Sequence, residues 1–201
     1  MAGIPPPVNV LNMRERNNTM TEFEKYLKIA GDFHGHACVG IALGTRITLA
    51  ALHALGFEPG AKNKKLIVFT EIDRCMTDAI QAITGCSLGR RSLKHVDYGK
   101  FAATFVNLET GKTVRGTIKQ HFGNDKPLEE TLKLLASIPD EKLVTLEEVT
   151  VDIPETDLPG PPVKKAVCAS CGESIMDGRW ILDGKKTLCF ACGSGGYYRK
   201  K

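Results

Sequence analysis

No apolar run in this 201-residue chain approaches the roughly 20 residues that a membrane-spanning helix needs. The first 20 residues, MAGIPPPVNVLNMRERNNTM, lack the continuous apolar centre of a secretory signal. A cytoplasmic protein with no membrane partner is therefore expected. Long blocks of one charge are missing as well. The 27 basic and 23 acidic residues are interspersed, so the chain carries no broad electrostatic footprint for nucleic acid. Internal repeats are absent, and so is the closely spaced cysteine run of a ferredoxin-type iron–sulfur protein.

The chain is 42% hydrophobic at 21.9 kDa, enough for one domain of ordinary size and a small appendage. The PPP segment and the polar run to Asn18 read as a flexible arm, residues 1–20. Order is expected from Thr21, where TEFE matches a capping box opening a helix at about 22–30. VGIALGTRITLAALHALGF is apolar almost all round, which predicts a buried central helix over about 38–55, capped by Gly56. KLIVFTEI (65–72) has strand composition, and CMTDAIQAITG (75–85) reads as a shorter helix. KFAATFVNLETGKTVRGTIK (100–119) reads as a hairpin around ETGK. PLEETLKLLASI (127–138) predicts an amphipathic helix with Pro127 at its first position, and EEVTVDIP (147–154) a last strand. Helices mixed with a small antiparallel sheet, without strict βαβ alternation, make an α+β core over 21–153. PETDLPGPPVKK (154–165) holds four prolines and a glycine and reads as a linker to a C-terminal unit, 166–201.

Seven cysteines cannot all pair within one chain. Four of them form CASC (168–171) and CFAC (189–192), two CxxC pairs 17 residues apart. In an intracellular protein this spacing reads as a structural zinc site of Cys168, Cys171, Cys189 and Cys192. A redox CxxC pair is the plainer alternative. Four thiolates leave no open position, so this zinc would be structural rather than catalytic. A unit of some 35 residues buries too little to fold alone, so the ion must supply much of its stability. The YYRKK tail and nearby Lys164, Lys165, Lys185 and Lys186 make nucleic acid a weaker candidate partner.

GDFHGHACVG (31–40) gathers two of the five histidines and one cysteine. His34, His36 and Cys38 are ligand types suited to a transition metal. Cys38 opens a predicted helix, whose dipole lowers a thiol pKa and favours the thiolate. One loop does not complete a site. The segment EIDRCMTDAIQAITGC offers Glu71, Asp73, Cys75, Asp78, Gln81 and Cys86. Eleven helical residues rise about 16 Å, so Cys75 and Cys86 cannot share an ion, and Cys75 is the better choice. His53 reads as an ordinary helix residue, and His95 and His121 as loop residues. The alternative is that the histidines cap the loop and Cys38, Cys75 and Cys86 are small buried hydrophobes.

At FHGHACVGIALGTR, CMTDAIQAITGCSLG, DYGK (97–100) and CASCGE…LCFAC the chain resembles the E-subunit family of formylmethanofuran dehydrogenase. Val39 stands where that family usually has proline. The resemblance implies an α+β core that dimerises and a cleft lined by His34, His36, Cys38 and Cys75. Asp78, Gln81, Thr84 and Cys86 would lie behind them. It also implies a C-terminal treble-clef zinc finger, a second metal ion in the core, and other dehydrogenase subunits as partners. Function would then be that of an accessory subunit, or a relative, of a molybdenum or tungsten oxidoreductase in the one-carbon redox metabolism of methanogenesis. In that reading Cys38 is ligand or nucleophile, the histidines are ligands or proton carriers, and the chain does not catalyse the parent reaction alone. The rivals are a non-catalytic adaptor, whose finger docks protein or nucleic acid, and a metal carrier or sensor.

Overall fold

The computed structural model describes residues 20–120, 122 and 126–199. Apart from Met20, the expected arm lies outside these residues, as does His121. Contacts divide the chain into two compact units between Val151 and Asp152.

The first unit opens with helix α1, Glu22–His34. Its capping box forms in full: the Thr21 amide donates to Glu24 Oε2 at 2.9 Å, and the Glu24 amide to Thr21 Oγ1 at 3.2 Å. The helix runs four residues beyond the expected end at Ala30. Gly31 does not stop it, being buried against the backbone of Ala37. The stop is Gly35, in the left-handed region at φ 97°. His34 is thus the last helical residue rather than a loop residue.

Helix α2, Val39–Leu55, is buried nearly all round and lies across a five-stranded sheet. The strands are β1 (Leu66–Thr70), β2 (Leu93–His95), β3 (Ala102–Asn107), β4 (Thr113–Ile118) and β5 (Val144–Glu148), in the order β2-β1-β3-β4-β5. β1 and β2 run parallel, joined by helix α3 (Met76–Thr84), and the other pairs are antiparallel. β2 places His95 at a strand end, not in a loop. α4 (Leu128–Ser137) starts one residue later than expected, with Pro127 at its cap, and α5 (Asp140–Leu143) leads straight into β5. β5 lies earlier than the expected strand because Leu146 and Val144 pair with Gly116 and Ile118 of β4. Ile41, Ile47, Leu52, Val68, Ile80 and Phe105 are fully or almost fully buried between helices and sheet. Each contributes about 1.5–3 kcal/mol of burial.

Two glycines set the approach of α2 to α3. A Cβ on Gly44 would lie 2.8 Å from Met76 Cα, and one on Gly40 3.1 Å from Cys75 Cβ. Contact this close is open only to glycine. Arg46, also on α2, is buried and donates to the carbonyls of Leu135 and Ile138 and to Asp140, so it ties α4 and α5 to the central helix.

The second unit has a single 3-10 turn, Glu155–Asp157, within the proline-rich stretch. Two small ladders follow: β6 (Lys165–Val167) with β7 (Ser174–Met176), and β8 (Trp180–Asp183) with β9 (Lys186–Cys189). Asp183 pairs with Lys186, leaving a two-residue loop that begins at Gly184, φ 58°. Helix α6, Phe190–Ser194, closes the unit. The architecture is therefore α+β with a small C-terminal unit. Among the described residues, no helix is long and apolar enough to cross a membrane.

Candidate metal centres

In the second unit, one turn holds Cys168 and Cys171, and the β9–α6 junction holds Cys189 and Cys192. All four sulfurs lie within 4.8 Å of one another, and Cys171 and Cys189 are 4.0 Å apart. Zn–S bonds of about 2.3 Å in a tetrahedron place sulfurs about 3.8 Å apart, so the cluster is already close to the size a zinc requires. Backbone amides of Cys171 and Cys189 pull the Cys168 thiol down to about 6, the Cys189 amide donating to Cys168 Sγ at 3.3 Å. Cys171 accepts from the Glu173 amide, which lowers it, yet burial and the three neighbouring thiols push it up to about 12. Four thiols thus share protons that a metal dication would displace. The cluster fits a metal such as zinc.

The first unit assembles a second set. His34 ends α1, Gly35 reverses the chain, His36 follows, and Cys38 caps α2 by accepting the Ile41 amide at 3.3 Å. The ligand atoms of His34, His36 and Cys38 lie within 4.8 Å of one another, and the two imidazoles are 4.7 Å apart between centroids. Asp78, in the first turn of α3, bonds His34 Nδ1 through Oδ2 at 2.7 Å, while its Oδ1 accepts from Gln81 at 3.3 Å. With Nδ1 so engaged, Nε2 is the His34 atom left for an ion. Such a carboxylate–histidine pair fixes ring orientation and raises ligand basicity.

Cys75 stands at the cap of α3 with no capping hydrogen bond, and its thiol neighbours that of Cys38. It adjoins the trio without being one of the three mutually close ligands. Burial, aided by Cys75, pushes the Cys38 thiol up, against the lowering by the Ile41 amide. The expected low-pKa thiolate is therefore not a property of the metal-free chain, because desolvation outweighs the helix terminus.

Other expected residues are placed elsewhere. Cys86 is buried, donates towards the Leu66 carbonyl at 3.6 Å, and has its thiol pushed up by burial. Thr84 serves the end of α3, donating to the Ile80 carbonyl at 2.6 Å and accepting the Cys86 amide at 3.0 Å. Glu71 is held by Arg115 through Nε at 2.6 Å and Nη2 at 2.8 Å, so it is no ligand. The DYGK turn serves the same residue: amides of Tyr98 and Lys100 donate to the Glu71 carbonyl at 3.2 and 3.1 Å. Asp73 is exposed, and His53 pairs with Glu22 at 3.1 Å. Gly44, Arg46 and Arg115 escaped the sequence reading. The Gly40-x-x-x-Gly44 spacing was a visible signal for the first, whereas the arginines have partners too distant in sequence to be foreseen.

Residues 33–151 match the family described as FmdE, molybdenum formylmethanofuran dehydrogenase operon. A probable S-adenosyl-L-methionine-binding protein of Archaeoglobus fulgidus is 31% identical over 215 aligned positions, covering 92% of this chain. The chain spans 56% of that relative's length. The crystal structure of an FmdE-like protein of the tungsten formylmethanofuran dehydrogenase type, from Syntrophus aciditrophicus, superposes with a TM-score of 0.58 at 21% identity. The match covers 88% of this chain and 95% of that one, which establishes a common fold.

Proposed function

The chain belongs to the FmdE family, and from that premise we propose that it is a metal-bearing accessory protein to a formylmethanofuran dehydrogenase, acting in cytoplasmic one-carbon redox metabolism. The observation that carries this reading is the convergence of His34, His36 and Cys38 within 4.8 Å, backed by the Asp78–His34 bond. Two imidazoles and a thiolate are a donor set for zinc or a similar divalent ion, and three protein ligands leave a position for water or substrate. The C-terminal four-cysteine set has no such position and serves structure. A four-thiolate iron–sulfur cluster does not fit the first unit: Cys38 and Cys75 adjoin, but Cys86 is committed to the core. We accordingly assign this chain no formyl oxidation of its own. A second copy of the chain is its first expected partner, and the other dehydrogenase subunits are the next.

Metal analysis of the full chain tests the reading. Two ions per chain are expected, and Cys38→Ser should lose the core ion and keep the finger's. A variant with undiminished metal content would overturn the assignment. Sedimentation of the same samples reads the dimer.

A second reading comes from the Archaeoglobus relative. If its S-adenosyl-L-methionine site lies in the half that aligns, this chain binds that molecule too. Equilibrium dialysis with labelled S-adenosyl-L-methionine decides: no retention at millimolar ligand removes the reading.

A further inference from the structure

Cys38 and Cys75 sit at the starts of two helices that converge, α2 and α3. Between them is Gly40, which has no side chain to fill the gap. A methyl placed on its Cα would lie 3.5 Å from Cys75 Sγ and 3.8 Å from Cys38 Sγ. Both cysteines are part-buried rather than sealed, so a small reagent can reach them. Cys75 makes no capping bond, which leaves its thiol free to turn. The remaining cysteine of this unit, Cys86, is buried and bonded to Leu66, so it does not compete.

We propose that Cys38 and Cys75 form a redox-active dithiol, and that its closure to a disulfide takes Cys38 away from the metal centre and expels the ion. The expulsion rests on the metal reading above; the disulfide does not. The oxidant is a low-molecular-weight disulfide, RSSR. One cysteine thiolate attacks a sulfur of RSSR, forming a mixed disulfide and releasing RS⁻. The second thiolate attacks the protein sulfur of that mixed disulfide and releases the other RS⁻. In sum, two protein thiols and RSSR become one protein disulfide and two RSH, with two electrons passing to the reagent. A disulfide sulfur is no longer the anionic donor that a metal requires. His34 and His36 are then left alone, and the ion departs. A disulfide needs Cα atoms within about 7 Å, and Gly40 permits that approach.

The test uses the full-length, zinc-loaded protein treated with oxidised glutathione. Peptide mapping without reduction should recover the Cys38 peptide linked to the Cys75 peptide, and zinc should fall by about one ion per chain. Dithiothreitol should restore the capacity to rebind it. Cys75→Ser should form no linked peptide. Absence of the linked peptide in the native sequence, or linkage of either residue to Cys86 or a finger cysteine instead, overturns the proposal whatever the variants do. A core ion present in the reduced protein with no linkage on oxidation defeats the dithiol alone. Linkage in a chain that holds no core ion when reduced leaves the disulfide standing and overturns the expulsion together with the metal reading.

Discussion

His34 Nδ1 and Asp78 Oδ2 lie 2.7 Å apart although 44 residues separate them in sequence. This bond joins the end of α1 to the first turn of α3 and aims the imidazole at the Cys38 side of the cleft. Asp78→Asn keeps the shape and loses the charge. Loss of such a partner commonly costs 10–100-fold in metal affinity, and we expect a decrease of about that size in zinc competition against a chromogenic chelator. Unchanged affinity would mean that Asp78 does not position His34.

Gly44 offers a packing test. In an exposed helix, glycine to alanine is stabilising by up to about 1 kcal/mol. Here the new methyl would meet Met76 Cα at 2.8 Å, and backbone cannot turn aside. Overpacking of this kind costs about 1–3 kcal/mol. Gly44→Ala should lower the urea midpoint and, by displacing α3, weaken the core metal site as well.

The Glu71–Arg115 pair predicts a pH dependence. Hydrogen bonds from Arg115 hold the Glu71 carboxyl below its usual range, against burial. A depressed folded pKa stabilises above the unfolded value, about 4.3, and that stability disappears as pH falls through the folded value. Unfolding free energy should therefore decline more steeply below about pH 4 in the native protein than in Glu71→Gln. At neutral pH the variant leaves Arg115 without its carboxylate, with an expected loss of about 3 kcal/mol. Parallel denaturation curves at pH 3 to 7 check both statements.

Trp180, the single tryptophan of the chain, lies in β8 of the C-terminal unit, so its fluorescence reports on that unit alone. Chelation should shift its emission to the red as the unit loses structure. The far-ultraviolet helical signal, which comes mainly from the first unit, should be largely retained. Cys171→Ser should give the chelated spectrum without chelator. Coincident loss of both signals would contradict independent stabilisation of the two units.

Elements that carry their own signals were legible in the sequence: the capping box at Thr21, the apolar α2, the β3–β4 hairpin and the paired CxxC motifs. Boundaries set by partners were not. α1 outruns Ala30 because Gly31 is buried against Ala37, a contact that no local pattern announces. β2 has three residues and exists through its parallel pairing with β1. β5 and the stretch after it both alternate, and the pairing with β4 chooses between them. In the site, residue types and spacing found His34, His36, Cys38 and Cys75. The commitment of Glu71 to Arg115 and of Thr84 to the end of α3 depends on geometry alone.

The long separation between His34 and Asp78 also bears on biosynthesis. The core ligands leave the ribosome early, but their supporting carboxylate follows 44 residues later, and it comes to rest only when α3 docks against Gly40 and Gly44. The finger's four cysteines span just residues 168 to 192 and emerge last, yet they close over a short loop. Order of synthesis and order of metal acquisition therefore need not agree: the later-made centre has the shorter chain to close before it can take its ion.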